Sequence, residues 1–133
     1  MGPNDVELTR VFTRQVNGKI ADVTLSSGDD FEVVVEVEAG TAVFNQGAQY
    51  KTDIVIRDLS ANNNIPRGPA GIAGALGSAP WDAQAKQLVF TVKAADLAGR
   101  EGDLCEVYAY LLEGNKDPDA SFLVSQPFLV QQA

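Results

Sequence analysis

Hydrophobic and polar residues alternate with a period of two along most of this chain, which is the pattern of strands with one buried face. DDFEVVVEVEAG sets Phe31, Val33, Val35 and Val37 on one face, with Glu32, Val34, Glu36 and Glu38 on the other. YKTDIVIRDL sets Tyr50, Thr52, Ile54 and Ile56 against Lys51, Asp53, Val55 and Arg57. KQLVFTVKA alternates Leu88, Phe90 and Val92 with Val89 and Thr91, and LCEVYAYLLEG sets Cys105, Val107, Ala109 and Leu111 against Glu106, Tyr108 and Tyr110. VELTRVFT and KIADVTLSS add two shorter, more polar strands, and SFLVSQPFLV closes the chain. Pro127 lies inside that last run and predicts an edge position or a bulge there, because proline cannot donate to a ladder.

About seven strands result, separated by turns rich in Gly, Asn and Asp such as SSGDD, NQGAQ and EGNKDPDA. AADLAGREG is too short for a free-standing helix and reads as one helical turn joining two strands. No strand–helix–strand rhythm occurs, so antiparallel pairing is predicted. The expected fold is all-β: an antiparallel sandwich forming a single domain over residues 1–133. LVFTVKAADLAGREGDLCEVYAYL, with its alternating strand, leucine-containing crossover and second alternating strand, resembles the late strands of immunoglobulin-like and fibronectin type III domains. Cys105 stands where those families often carry a corner tyrosine, and Trp81 precedes a late strand instead of lying in an early one. The resemblance implies architecture and leaves function open.

RGPAGIAGALGSAPW departs from this rhythm, with glycine at 68, 71, 74 and 77. Four Gly-X-Y triplets holding one proline cannot sustain a collagen helix. The segment from about Ser60 to Trp81 is expected to be a long Gly/Ala-rich inter-strand loop, and loops of that length tend to be functional. It either folds back to cap the sandwich or exposes Ile72, Leu76 and Trp81 to a partner. Tyr108 and Tyr110 share the outward face of their strand and form a second expected contact surface.

Composition narrows the chemistry. The chain carries 18 acidic and 10 basic residues, a net charge of -8, with no cluster of Lys and Arg. A phosphate-backbone partner is therefore not expected, nor an anionic membrane surface, and no apolar run reaches the roughly 20 residues of a bilayer span. The 45% hydrophobic content suits a folded core. There is no histidine, which removes the commonest general base and zinc ligand, and the single Cys105 cannot form an internal disulfide. Cys105 falls on an apolar strand face, as a small buried hydrophobe would. Asn115, Asp117 and Asp119 alternate in NKDPDAS and, with Asp29 and Asp30 in SSGDD, are the weak candidates for calcium; a simple hairpin turn explains them equally. Glu32, Glu36 and Glu38 are read as a solvated face before a glycosidase-like carboxylate pair.

The resulting expectation is a non-enzymatic binding module without a cofactor, whose partner is a protein, with a second copy of itself included. The alternative is a carbohydrate-binding module, with Ca²⁺ at the acidic loops and an exposed platform of aromatic rings. The start MGPNDVELTR has no signal-peptide pattern. A full-length chain is thus expected in the cytoplasm, and one whose signal has been removed in the periplasm or outside the cell.

Overall fold

Valine- and phenylalanine-rich alternation nucleates the smaller of two sheets. In the computed structural model, which describes residues 5–66, 68–114 and 119–132, β3 (Phe31–Ala39) lies between β1 (Val6–Gln15) and β7 (Ala85–Val92), antiparallel to both. The larger sheet is built on β4 (Gln49–Asp58) and β8 (Leu104–Glu113), which pair antiparallel along their whole lengths. On the far side of β8 run β9 (Asp119–Val124) and then β10 (Phe128–Gln131), in effect one strand interrupted between Ser125 and Pro127. Pro127 has no N–H to offer, and Ser125 fills the gap: its N–H donates to the Val107 carbonyl (2.8 Å) and its Oγ accepts the Val107 N–H (2.9 Å). The first, second and fourth long strands thus face the third and the last two. This order is the immunoglobulin-like arrangement that the late-strand rhythm implies.

Among the described residues ten strands stand where the sequence predicts about seven, because the last run divides into β9 and β10 and two short strands are added between β4 and β7. β2 (Thr24–Ser26) joins β10, and it does so in parallel, against the expectation of purely antiparallel pairing. β5 (Asn63–Asn64) and β6 (Ile72–Ala75) both pair with the free edge of β4. The stretch from Ser60 to Trp81 is therefore not one long loop, because the sheet edge captures two pieces of it. A short helix not expected from the sequence, α1 (Thr41–Asn45), leads into the turn at NQGAQ and buries Val43. AADLAGREG forms the single turn expected, a 3₁₀ turn at Ala94–Leu97 with Leu97 buried.

The core lies between the sheets, where the even-spaced apolar positions meet. Phe31 packs on Phe128 with ring centroids 5.5 Å apart, and Val33, Val35, Leu88, Phe90, Val107 and Leu111 fill the layer around them. Thr52 is the polar member of an inward face, and its hydroxyl donates to the Tyr110 carbonyl at 2.8 Å, so its burial leaves no unmet bond.

The outer face of the smaller sheet is less wet than the sequence predicts. Val34, expected beside solvated glutamates, is fully buried between its register neighbours Phe12 and Val89. The Arg10 guanidinium lies over the Phe12 ring, 4.2 Å from its centroid. Glu32 is also buried: it accepts from Arg14 Nε (2.9 Å) and from the Asn17 N–H (3.2 Å).

Candidate functional site

The glycine-rich stretch is a strand and a lid on the core. Leu76 and Trp81 are buried, and Ile72 is partly buried against the same core. Trp81 meets Tyr50 edge to face at 5.0 Å, and its Nε1 donates to the Gln84 carbonyl at 3.3 Å. A buried indole offers no surface to a partner, so of the two alternatives for Ile72, Leu76 and Trp81 the structure places them as packing. The glycine spacing has local causes. A side chain at Gly71 would meet the Asp53 carboxylate and the Thr52 carbonyl at 3.0–3.2 Å, and Gly77 holds φ near +92°. Gly68 faces open space, so no single helical constraint runs through the repeat.

The outer face of the larger sheet is the exposed apolar surface. β8 turns Tyr108 and Tyr110 outward because its other face carries the buried Cys105, Val107, Ala109 and Leu111. Register places Val124, Tyr108 and Val55 in one row across β9, β8 and β4, with Phe122, Tyr110 and Asp53 in the next. Phe122 is 60% exposed, and Val55 and Val124 are about 40% exposed. Phe122 stacks on Tyr108 across the diagonal, with centroids 5.9 Å apart. The Tyr108 hydroxyl donates to Glu106 in a short hydrogen bond, which together with some burial raises the tyrosine pKa. Sequence reasoning found the two tyrosines and missed Phe122 and Val124. Their signal was the alternation of Phe122 and Val124 with the inward Leu123 and Ser125, hidden by the break at Pro127.

The acidic candidates do not converge. Asp30 accepts from the Ala94 N–H (2.8 Å) and from Lys93 Nζ (3.4 Å), chiefly the amide bond lowering its pKa, so it fastens the start of the 3₁₀ turn. Asp29 is exposed beside it. Asp119 pairs in register with Glu113, at the opposite end of β8 from Cys105 and Phe128, near which Asp30 lies. Asn115 and Asp117 lie outside the described residues. Among the described residues no three carboxylate or thiol groups are close enough to hold a metal ion. Glu36 accepts from Gln87 Nε2 at 3.0 Å across the sheet.

A polar cluster is centred on the buried Asp58, at the other end of β4. Asp58 accepts from Arg100 Nη1 (3.1 Å) and from the Ala61 N–H (2.9 Å), while the same Arg100 nitrogen donates to Asn63 Oδ1 (2.6 Å). Burial opposes ionisation of Asp58. The Ala61 amide, the Asp103 carboxyl and the Arg100 charge outweigh it and hold the pKa below the ordinary carboxylate value. The bond to Asp58 raises the Asp103 pKa in turn. Burial, with these two carboxylates nearby, pushes the Cys105 thiol up to about 12, so it stays protonated. The cluster ties β4, β5 and the crossover into β8 together.

Among the described residues no helix is long and apolar enough to cross a membrane. No protein-family model matches the chain, and no curated protein matches it. Among solved structures, the chain is similar to AggA, the major subunit of aggregative adherence fimbriae type I from Escherichia coli. That likeness has 11% identity and a TM-score of 0.48, covering 98% of this chain and 97% of the other. It is also similar to part of a beta-glucosidase from Listeria innocua crystallised with glucose. There the identity is 12% and the TM-score 0.45, covering 94% of this chain and 16% of the other. Both TM-scores lie below 0.5, and neither likeness bears on function here.

Proposed function

We propose that the protein is a non-catalytic β-sandwich module, residues 1–133 acting as one domain, that binds another protein through the outer face of its larger sheet. The observation that carries this reading is the exposure of Phe122 on that face, stacked on Tyr108 and flanked by Val124 and Val55. Contiguous exposed apolar surface on a regular sheet is costly unless something covers it, and tyrosine and phenylalanine are common anchors of protein contacts. The opposite outer face supports the contrast, since there Phe12 lies under Arg10 and Glu32 is paired with Arg14. Tyr110 belongs to the same surface, whereas Leu76 and Trp81 do not reach it.

The groups that could do chemistry serve the fold instead. The Cys105 thiol is buried and protonated, Asp58 is held by Arg100, and Asp30 fastens a turn. A net charge of -8 directs the module away from phosphate backbones. The test compares wild type with Phe122→Ser, a substitution at an exposed position, in capture from the soluble extract of the source organism and in sedimentation velocity. A partner retained by wild type and lost by the variant supports the face. Equal behaviour of the two proteins in both assays would refute it.

A further inference from the structure

β7 ends the smaller sheet, and among the described residues nothing hydrogen-bonds to its backbone on the flank turned away from β3. The outward groups can be identified. The Ala39 N–H donates to the Gln84 carbonyl at 2.9 Å, so that carbonyl points toward β3. The register of β7 on β3 has no break. Alternation then turns the N–H and C=O of Ala85, Gln87, Val89 and Thr91 outward. None of these four residues is charged. A free edge of this length, without proline or bulge, invites strand addition.

Register also shows what would meet across that edge. Three rows cross the sheet: Arg10, Glu36 and Gln87; Phe12, Val34 and Val89; Arg14, Glu32 and Thr91. The middle row is apolar, its inner members are buried, and it stops at the edge with Val89 38% exposed. The rows on either side each set an arginine beside a glutamate, and Arg14 and Glu32 are in contact at 2.9 Å.

We infer that β7 of a second copy of this chain completes this edge, antiparallel about a two-fold axis through Val89. This goes beyond the face reading and uses a different surface. Val89 then lies opposite its own copy, and Gln87 lies opposite the second copy's Thr91. The apolar row continues unbroken from Phe12 to Phe12 across the axis, between two rows whose charges balance. A shift of two residues would set Val89 against Gln87 instead. Self-complementarity selects a second copy as occupant, since Val89 meets Val89 and uncharged Gln87 meets uncharged Thr91. Two chains of net charge -8 repel, and this edge brings them together with no like charges opposed, Lys86 being paired with Asp82 at 2.7 Å. One strand paired with itself also closes into a dimer, as isologous contacts do.

The test is sedimentation velocity across a concentration series, with thermal unfolding confirming that each variant folds. Wild type is expected to dimerise. Val89→Lys and Val89→Glu each place like charges face to face on the axis and should weaken the dimer by about tenfold or more. An equimolar mixture of the two should restore it, which a merely misfolded variant could not do. Phe122→Ser should leave the dimer intact. A wild type that stays monomeric, a Val89→Lys that still dimerises, or a mixture that remains monomeric would each overturn the inference. A dimer lost in Phe122→Ser but kept in Val89→Lys would also overturn it, while leaving the larger sheet's face as the contact.

Discussion

Replacing Trp81 by alanine tests whether the glycine-rich stretch is part of the core. The indole is fully buried, and truncating such a side chain costs about 3–5 kcal/mol in lost transfer energy and cavity. The edge-to-face contact with Tyr50 at 5.0 Å adds about 0.5–1.5 kcal/mol. The Gln84 carbonyl loses the indole N–H but keeps the Ala39 N–H, so this adds at most about 1 kcal/mol. These terms overlap, and a combined loss of about 4–6 kcal/mol is expected, which approaches the whole stability of a small domain. Trp81→Phe keeps a ring against Tyr50 and should lose about half as much. Urea unfolding followed by far-ultraviolet circular dichroism is the suitable assay, because Trp81 is the only tryptophan and its fluorescence disappears with it. A loss below about 1 kcal/mol would mean that the indole lies at the surface, and the packing account of residues 72–81 would fail.

Other perturbations probe the polar interior. The Tyr50 hydroxyl is buried and makes no hydrogen bond of ordinary geometry among the described residues. Burial raises its pKa against a smaller opposing effect of the Trp81 backbone, so Tyr50→Phe should be neutral or stabilising by up to about 1 kcal/mol in thermal unfolding. Asp58→Asn removes the anionic partner of Arg100 and should cost about 2–3 kcal/mol at neutral pH in the same assay. The two carboxylates of that cluster act oppositely on acidification. The raised Asp103 takes up its proton earlier in the folded state, so stability rises as pH falls toward its ordinary range; the lowered Asp58 protonates later than in the unfolded chain, and its contribution is lost only below that range. Asp103→Asn should reduce the rise, leaving the part due to Glu113, whose pKa burial also raises, and should leave the later loss in a pH series of melting temperatures. Cys105, with its thiol pushed up to about 12, should resist a thiol reagent at pH 8 until the protein is unfolded, and rapid labelling of the native protein would contradict its burial.

The long strands were legible in the sequence because one face of each must be apolar. The inward sets at 31–37, 50–56, 88–92 and 105–111 are the buried sets of the structure. What sequence alone hid depends on neighbours distant in the chain. Val34 reads as a wet position until Phe12 and Val89 arrive on either side of it. Ile72–Ala75 has weak strand propensity and becomes a strand only because the edge of β4 is there to pair with it. Trp81 gave two alternatives by composition, and Tyr50 decides between them by offering its ring. On the proposed contact face, Tyr108 and Tyr110 stood out in a long alternating run, while Phe122 sat in a run broken by proline.

The most direct measurement of the central proposal is fluorescence-detected sedimentation of wild type and Phe122→Ser. Each is labelled at its amino terminus and followed at rising concentration and in extract of the source organism. Phe122 is 60% exposed, so the variant should keep its fold with a stability change within about 0.5 kcal/mol. The account predicts that wild type sediments faster than the variant in at least one of these conditions, because the larger sheet's face is covered by a protein. Identical sedimentation of the two in every condition would contradict it.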